Sequence, residues 1–324
     1  MEQKIPVVAV TGPTAAGKTA FGIGISCKFG GEIVSCDSMQ VYSKLPIGTA
    51  QPTEEELRQT PHHLISFLDW DTPFSVSDYV ELASKTITEI HDRGKLPIVV
   101  GGTGLYARSL LRGFSFQEDC RDEELRRELF RQVETEGIDG LYRELQRLDP
   151  LSAEQIHPNN VKRVVRAVEY CRLSGEPFSE QAKRSQKAES PYRSLILCIS
   201  YQDREKLYAR IDSRVDAMLE QGLLKEAEAF YRFCKENGTP ATAAQAIGYK
   251  ELFPYFEGQV SLMEAVENIK RESRRYAKRQ ITWFRREQNA VFLYQDDWED
   301  PDALLQEGCR IVKEFLETKG MHGI

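Results

Sequence analysis

The chain has 324 residues, 41% of them hydrophobic and 29% charged, which is the composition of an ordinary globular protein of about two domains. Its net charge of −7 argues against a protein that coats nucleic acid indiscriminately, but it leaves room for a local basic groove. There is no apolar run of roughly 18 residues, no secretory signal and no Cys-x-x-Cys pair, so we expect a cytoplasmic protein without a membrane span, zinc site or disulfide framework.

Strands and helices alternate in the first third of the sequence. The apolar, β-branched run from Ile5 to Val10 is typical of a buried parallel strand, and a helix is expected to begin near Lys18. A second strand is predicted from Glu32 to Ser35, a helix from Val76 to Arg93 and a third buried strand from Leu96 to Val100. This alternation predicts an α/β fold with a parallel sheet core flanked by helices.

The middle of the chain has a different pattern. From about Glu118 to Gln186 the sequence shows helical periodicity and many charges but no strong strand. Strands are predicted again from Tyr192 to Tyr201 and from Ala290 to Tyr294, with mostly helices between them. We therefore predict a discontinuous core domain, made of residues 1–115 and 192–324 with C-terminal helices, and a mostly helical insertion domain at 116–191.

A glycine-rich turn follows the first strand and matches the phosphate-binding pattern G-x-x-x-x-G-K-[ST] in full. Its residues are Gly12, Pro13, Thr14, Ala15, Ala16, Gly17, Lys18 and Thr19. We expect the backbone N–H groups of residues 14–19 and the N-terminus of the following helix to attract phosphate, with Lys18 as a point charge and the Thr19 hydroxyl available to Mg²⁺. An incidental glycine turn is the weaker interpretation, because a strand precedes the loop and a helix follows it. The loop predicts a diphosphate or triphosphate ligand on a P-loop-type core.

An acidic residue, Asp37, directly follows the second strand. Ligands of open α/β sheets bind at the carboxyl ends of the strands, so Asp37 is predicted to share a crevice with the phosphate loop. Its carboxylate could bind Mg²⁺, act as a general base or cap the next helix, and spacing alone does not separate these roles. Gln40 could read an adenine edge, since glutamine pairs with adenine N6 and N7, or it could be a solvated helix residue.

Two basic segments occur later in the chain. Residues 270–286 carry eight basic side chains and one acidic one, interleaved with Tyr276, Trp283 and Phe284. Residues 162–166 repeat basic side chains at helical spacing. Either segment could contact nucleic-acid phosphates, with the aromatic rings stacking on bases. The alternative is a pair of solvated helix faces whose aromatic rings pack into the core.

Seven stretches together resemble a known family. They are GPTAAGKT (12–19), SCDSMQVY (35–42), IGTAQP (47–52), PIVVGGTGLY (97–106), HPNNVKRVVRAVEY (157–170), AIGYKE (246–251) and RRYAKRQITWFRR (274–286). They follow the order of the family and extend over nearly the whole chain. On these residues the sequence resembles the tRNA dimethylallyltransferases, also called tRNA isopentenyltransferases, of the bacterial type.

The resemblance implies a phosphate loop that holds dimethylallyl diphosphate instead of ATP. The dimethylallyl group would pass to N6 of the adenosine 3′ of the anticodon, with Mg²⁺ as cofactor. Asp37 matches the general base of the family, and Thr103 matches a threonine near the reacting groups. Arg214 matches an arginine that holds the diphosphate together with Lys18. Arg210, one turn earlier, is the alternative to Arg214.

The resemblance also implies contacts with the tRNA anticodon stem-loop. They are assigned to Asp37, Ser38, Met39, Gln40, Lys162, Arg163, Arg166, Arg274, Arg275, Lys278 and Arg279. We expect the target adenosine to be flipped out of the loop, because a stacked base cannot enter a narrow crevice. A monomer that does not contact membranes is expected.

Two other functions stay open at this point. A nucleotide or small-molecule kinase would share the fold, the phosphate loop and Asp37, and would consume ATP. The basic helical insertion favours a macromolecular acceptor over a metabolite. A non-catalytic RNA-binding module is the second alternative, but it leaves the combination of Lys18, Thr19 and Asp37 without a purpose.

Overall fold

The computed structural model describes residues 4–114, 122–181, 189–240 and 242–318. Six strands form one sheet, and every pair of neighbouring strands is parallel. The strands are β1 (Ile5–Thr11), β2 (Gly31–Ser35), β3 (His62–His63), β4 (Leu96–Val100), β5 (Tyr192–Ser200) and β6 (Ala290–Tyr294), in the spatial order β3-β2-β4-β1-β5-β6. The predicted α/β fold class is confirmed, and only the short edge strand β3 was absent from the prediction.

Both faces of the sheet are buried, as the continuous apolar runs predict. Along β1, Val7 and Ala9 pack into one hydrophobic cluster, whereas Val8 and Val10 pack into another on the opposite face. None of these four side chains is exposed to solvent. Helices must therefore cover the sheet on both sides.

The chain divides into two compact units, Met1–Leu111 with Pro191–Ile324, and Arg112–Ser190. The helices of the first unit are α1 (Lys18–Phe29), α2 (Glu54–Gln59), α3 (Val76–Asp92), α4 (Gly104–Leu111), α9 (Arg204–Glu220), α10 (Leu223–Asn237), α11 (Phe253–Phe256), α12 (Leu262–Phe284) and α13 (Pro301–Glu317). Those of the second unit are α5 (Glu123–Glu136), α6 (Ile138–Leu148), α7 (Pro150–Gln155) and α8 (Val161–Ser174). None of the helices described is both long and apolar enough to cross a membrane.

The second unit has its own core, and a buried charge cluster lies within it. Apolar side chains from α5, α6, α7 and α8 form the core, and the Glu169 side chain on α8 is fully buried beside them. Its carboxylate accepts hydrogen bonds from Arg126 at 2.8 Å, Arg166 at 3.0 Å and the Asp122 N–H at 3.2 Å. A buried carboxylate needs such partners, so these contacts fix α5 against α8.

Gly101 allows the turn after β4 to approach the turn after β2. A Cβ at this position would lie 2.1 Å from the Cys36 carbonyl oxygen, which is backbone and cannot move aside. We expect Gly101→Ala to lower the free energy of unfolding by about 1–3 kcal/mol or more, because overpacking strains the surrounding backbone. Urea denaturation measures this change. The control is Gly140→Ala on α6, where a Cβ meets nothing within 4 Å and should cost no stability.

Candidate active site

The carboxyl ends of β1, β2 and β4 meet at one edge of the sheet. The phosphate loop follows β1, Asp37 follows β2, and the turn of residues 101–104 follows β4. A cavity of about 980 Å³ opens at this edge. The predicted site residues that line it are Thr14, Ala15, Gly17, Lys18, Thr19, Asp37, Ser38, Met39, Gln40, Arg210, Arg214 and Arg279. Gly12, Pro13 and Ala16 belong to the same loop but are buried.

The conformation of the phosphate loop depends on its glycines. Gly12 has a φ of +135°, and a Cβ there would lie 2.0 Å from the Ile199 carbonyl oxygen of β5. Gly17, with a φ of +86°, directly precedes α1. Lys18 Nζ donates to the Pro13 carbonyl at 2.7 Å, so the ammonium group is folded back over its own loop.

The pKa of the Lys18 ammonium group depends on its burial and on two neighbouring charges. Burial lowers its pKa to about 8, the Arg214 guanidinium adds to this shift, and the Asp37 carboxylate opposes it. Burial also lowers the pKa of Arg214, and Asp37 again opposes the shift. Two cations and one carboxylate therefore lie within electrostatic reach of one another in a partly desolvated site. An anionic ligand between the cations would relieve their mutual repulsion.

One detail of the predicted phosphate contacts is corrected. The Thr14 N–H donates to Gln280 Oε1 at 2.8 Å, so this N–H is not free to bind phosphate in this structure. The Ala16 N–H lies 3.4 Å from the Pro13 carbonyl oxygen. The sequence treats all the N–H groups of residues 14–19 alike, because a partner 266 residues away leaves no local signal.

Asp37 lies in a turn, and no helix follows it directly in the structure. Its Oδ1 accepts the Met39 N–H at 2.9 Å, which caps the turn, and the half-buried carboxylate also lines the cavity. Thr103 Oγ1 accepts the Ser38 N–H at 3.1 Å and donates to Ser38 Oγ at 3.4 Å. Thr103 thus fixes the turn that carries Asp37.

Tyr276, for which base stacking and core packing are the predicted alternatives, lies on the cavity wall. Burial, followed by the charge of Asp37, raises the pKa of its hydroxyl. A tyrosine in this position stays protonated and can donate a hydrogen bond. The other two aromatic residues of the segment have structural roles: Phe284 is buried, and the Trp283 ring lies against Gly104 and 4.6 Å from the Arg108 guanidinium.

The two candidate arginines on α9 have different surroundings. Arg210 Nε donates to the Ala15 carbonyl at 3.2 Å, and its guanidinium lies 5.9 Å from the centre of the Tyr201 ring. Arg214 interacts electrostatically with Asp37 and with Lys18. Arg210 thus supports the backbone of the phosphate loop, whereas Arg214 lines the cavity within electrostatic reach of Asp37 and Lys18.

The amide of Gln40 is used at both ends within the protein. Its Oε1 accepts from Ser35 Oγ at 3.1 Å, and its Nε2 donates to the carbonyls of Ala50 at 2.8 Å and Thr49 at 3.3 Å. Gln40 lines the cavity, and its hydrogen bonds stabilise the loop of residues 46–51. In this structure Gln40 is therefore neither a solvated residue nor an amide that is free to bind an adenine edge.

Two residues that the sequence did not single out hold the same loop. Glu226 accepts the N–H groups of Ile47 and Gly48, each at 3.0 Å, and also the Tyr249 hydroxyl at 2.6 Å. Tyr249 belongs to the stretch AIGYKE, which carried the family resemblance without an assigned role. The stretch AIGYKE is therefore the feature of the sequence that could have pointed to Tyr249.

The predicted tRNA-contacting residues differ in how free they are. On α12, Lys278 is exposed, Arg275 is exposed but paired with Glu272 at 2.6 Å, and Arg279 lines the cavity beside Tyr276. Arg274 is bound to Asp212 through contacts of 2.6 and 2.7 Å. In the second unit, Lys162 and Arg163 are exposed, whereas Arg166 is engaged with Glu169. Arg274 and Arg166 therefore have structural partners in addition to any tRNA contact.

The donors around the phosphate loop suit Mg²⁺ bound to a phosphate ligand. Among the residues described, no cluster of three or more His, Cys, Asp or Glu side chains could hold a metal by itself. Mg²⁺ commonly uses one or two protein oxygens together with substrate phosphates and water. The Thr19 hydroxyl and the Asp37 carboxylate line the same cavity and supply oxygens of this kind.

Comparisons with known proteins identify the family of the chain. A family model described as IPP transferase matches residues 40–287. The chain is 43% identical to a tRNA dimethylallyltransferase of Halalkalibacterium halodurans, covering 98% of this chain and 99% of that protein. It is 47% identical to one of Bacillus subtilis, covering 87% and 88%.

Solved structures give the same result. The full-length tRNA isopentenylpyrophosphate transferase of Bacillus halodurans is 41% identical, with a TM-score of 0.72 and 98% of each chain covered. A eukaryotic dimethylallyltransferase acting on tRNA is 31% identical, with a TM-score of 0.84, and the match covers 98% of this chain and 81% of that one. By its fold, its phosphate loop and its near-full-length similarity to these proteins, the chain belongs to the IPP transferase family, that of the tRNA dimethylallyltransferases.

Proposed function

We propose that this enzyme transfers the dimethylallyl group of dimethylallyl diphosphate to N6 of the adenosine 3′ of the anticodon in tRNA, and releases diphosphate. The observation that carries the proposal is one cavity whose lining includes the phosphate loop with Lys18, the Arg214 guanidinium and the Asp37 carboxylate. The names of the relatives support dimethylallyl transfer to tRNA. The sequence resemblance supports the particular adenosine.

Asp37 acts on the acceptor. The lone pair of an exocyclic adenine amine is delocalised into the ring, so N6 must lose a proton as its bond to carbon forms. The Asp37 carboxylate accepts this proton, a contribution of about 10²- to 10⁴-fold to the rate. Thr103 holds the turn that carries Asp37 through its hydrogen bond with the Ser38 N–H.

Lys18 and Arg214 act on the leaving group. As the allylic C–O bond breaks, its electrons pass to the diphosphate, which gains negative charge. Positive groups fixed beforehand in a partly buried site stabilise this charge without reorganisation. Mg²⁺ held by Thr19 and the diphosphate would add further positive charge at the same place.

The remaining task is to align the substrates and exclude water. An allylic carbon delocalises positive charge, so substitution there is relatively easy and alignment dominates. The target adenosine is flipped into the cavity, and the exposed basic residues of α12, with Lys162 and Arg163 in the second unit, hold the RNA backbone. The monomeric state and the cytoplasmic location stay predictions.

One experiment distinguishes the proposed prenyl transfer from the phosphoryl transfer of a kinase. The purified protein is incubated with Mg²⁺, an anticodon stem-loop RNA and either labelled dimethylallyl diphosphate or labelled ATP. We expect label in the RNA with dimethylallyl diphosphate and no consumption of ATP. Consumption of ATP without prenylation of the RNA would contradict the proposal and favour phosphoryl transfer.

The shifted pKa of Lys18 predicts a pH dependence. The protonated ammonium binds diphosphate, and its pKa of about 8 means that the free enzyme loses this charge as the pH rises through 8. We expect kcat/KM for dimethylallyl diphosphate to fall above pH 8, because kcat/KM reports the ionisation of the free enzyme. Lys18→Arg, which stays charged, should lose this falling limb. An unchanged limb in Lys18→Arg would assign it to another group.

The exposed basic residues predict a salt dependence. Each phosphate contact adds to the slope of log affinity against log salt. We expect Lys162→Ala and Arg163→Ala each to reduce that slope for tRNA binding by about 1. Arg143→Ala, an exposed arginine on α6 outside the predicted contacts, is the matched control and should leave the slope unchanged. If Lys162→Ala and Arg163→Ala had the same slope as the control Arg143→Ala, neither Lys162 nor Arg163 would belong to the RNA interface.

A further inference from the structure

Gln280 on α12 is a buried polar side chain with no role in the chemistry described above. The residue is 5% exposed, and both ends of its side-chain amide form hydrogen bonds. Oε1 accepts the Thr14 N–H at 2.8 Å, and Nε2 donates to the Gly102 carbonyl at 3.0 Å. A Cβ on Gly102 would lie 2.1 Å from this Nε2, so the amide packs tightly against the turn.

The two contacts join the two halves of the site. Thr14 belongs to the phosphate loop, which also carries Lys18. Gly102 directly precedes Thr103, whose hydroxyl binds the Ser38 N–H next to Asp37. One amide therefore links the loop that holds the leaving group to the turn that presents the proton acceptor.

A second glutamine allows a comparison at the same loop. Gln295, which follows β6, donates from Nε2 to the Ala16 carbonyl at 3.0 Å. Within the described ranges, the side-chain hydrogen bond of Gln295 goes to the phosphate loop and not to the turn of Thr103. Gln295 thus supports the diphosphate side alone, whereas Gln280 connects both sides.

On the basis of the proposed function, we propose that Gln280 is a positioning residue that sets the spacing between the diphosphate and the Asp37 carboxylate. Transfer requires the attacking nitrogen, the allylic carbon and the leaving oxygen to be aligned. A displacement of about 1 Å can cost roughly 10²-fold in rate. Gln280 therefore controls the rate of the bound complex more than the affinity for either substrate.

The test uses single-turnover kinetics with enzyme in excess over the stem-loop RNA and with saturating dimethylallyl diphosphate. The rate constant reports alignment, and the amplitude reports the fraction of enzyme that is folded and active. We expect Gln280→Met, which keeps the length but loses both hydrogen bonds, to lower the rate constant about 10- to 100-fold. The concentration of dimethylallyl diphosphate that gives half of the maximal rate constant should change by less than about threefold, because the affinity for this substrate is expected to stay unchanged.

The comparison variant is Gln295→Met. Because Gln295 supports only the phosphate loop, its loss should raise the half-saturating concentration of dimethylallyl diphosphate more than it lowers the saturating rate constant. Thermal melting of both variants shows how much stability each loses. A merely structural role for Gln280 would lower the melting temperature and the amplitude, but it would not lower the rate constant.

Gln280→Glu adds a pH-dependent rescue. A protonated glutamic acid can accept from Thr14 and donate to Gly102, as the amide does, whereas a carboxylate cannot donate. The ratio of the rate constants of Gln280→Glu and wild type should therefore rise as the pH falls, and the same ratio for Gln280→Met should stay flat.

The proposal is overturned if the saturating rate constant of Gln280→Met lies within about twofold of wild type, a difference too small to indicate misalignment. It is also overturned if Gln295→Met loses as much rate as Gln280→Met, or if the Gln280→Glu ratio does not change with pH. Failure of the proposed function would be recognised separately, because the wild-type protein itself would then transfer no label to RNA.

Discussion

Asp37→Asn is expected to lower the single-turnover rate constant of dimethylallyl transfer by about 10²- to 10⁴-fold. The asparagine Oδ1 can still accept the Met39 N–H, so the turn should keep its shape. Its amide cannot take the proton that N6 must lose. The affinity for dimethylallyl diphosphate should be unchanged or higher, because a negative charge close to Lys18 and Arg214 has been removed.

A titration with Mg²⁺ separates the general-base role from metal binding. If Asp37 served mainly as a Mg²⁺ ligand, a higher Mg²⁺ concentration would restore the rate of Asp37→Asn. A general base cannot be replaced in this way, so we expect no rescue. A near-normal rate in Asp37→Asn would remove Asp37 as the base altogether.

Arg214→Met is expected to have the second largest effect, a loss of about 10²- to 10³-fold in the rate constant, the usual cost of removing one stabilising group from developing negative charge. Arg210→Met should lose less, because the Arg210 guanidinium is engaged with the Ala15 carbonyl and the Tyr201 ring. The two variants are compared at saturating dimethylallyl diphosphate. A larger loss in Arg210→Met would reverse the assignment of the two arginines.

Arg214→Lys is the matched control for charge. It keeps the positive charge but loses the planar fork of donors that fits a diphosphate. Partial recovery relative to Arg214→Met would show that the charge contributes independently of its geometry. The melting temperatures of all three arginine variants should stay close together if the losses are catalytic.

The sequence predicted the core of the site because topology and local pattern agree there. Apolar runs marked the strands, the phosphate loop marked the end of β1, and the rule that ligands bind at the carboxyl ends of parallel strands placed Asp37 beside Lys18. Both residues line one cavity in the structure. A local motif together with a fold rule was sufficient for these positions.

Long-range polar contacts could not be predicted in the same way. Gln280 lies in a segment rich in charges and looks like a solvated residue, yet its partners are 266 and 178 residues away. Arg274 pairs with Asp212 across 62 residues. Helical periodicity shows which residues share a face, but it does not show what that face meets.

Arg166 is a case in which more could have been predicted. Its partner Glu169 is three residues further along the same helix, a spacing at which opposite charges often pair. The burial of Glu169 turns this local pair into part of the cluster that also binds Arg126. Burial is a property of the tertiary fold, so the local spacing suggested the contact but not its importance.

The most direct test of the proposed reaction uses three anticodon stem-loop RNAs that differ at one base. The base 3′ of the anticodon is adenine, guanine or unsubstituted purine, which lacks only the exocyclic amine. Each RNA is incubated with enzyme, Mg²⁺ and labelled dimethylallyl diphosphate, and is then digested to nucleosides. We predict label only in the adenine RNA, on the nucleoside at that position. Label in the purine RNA, or at any other nucleoside, would contradict transfer to N6.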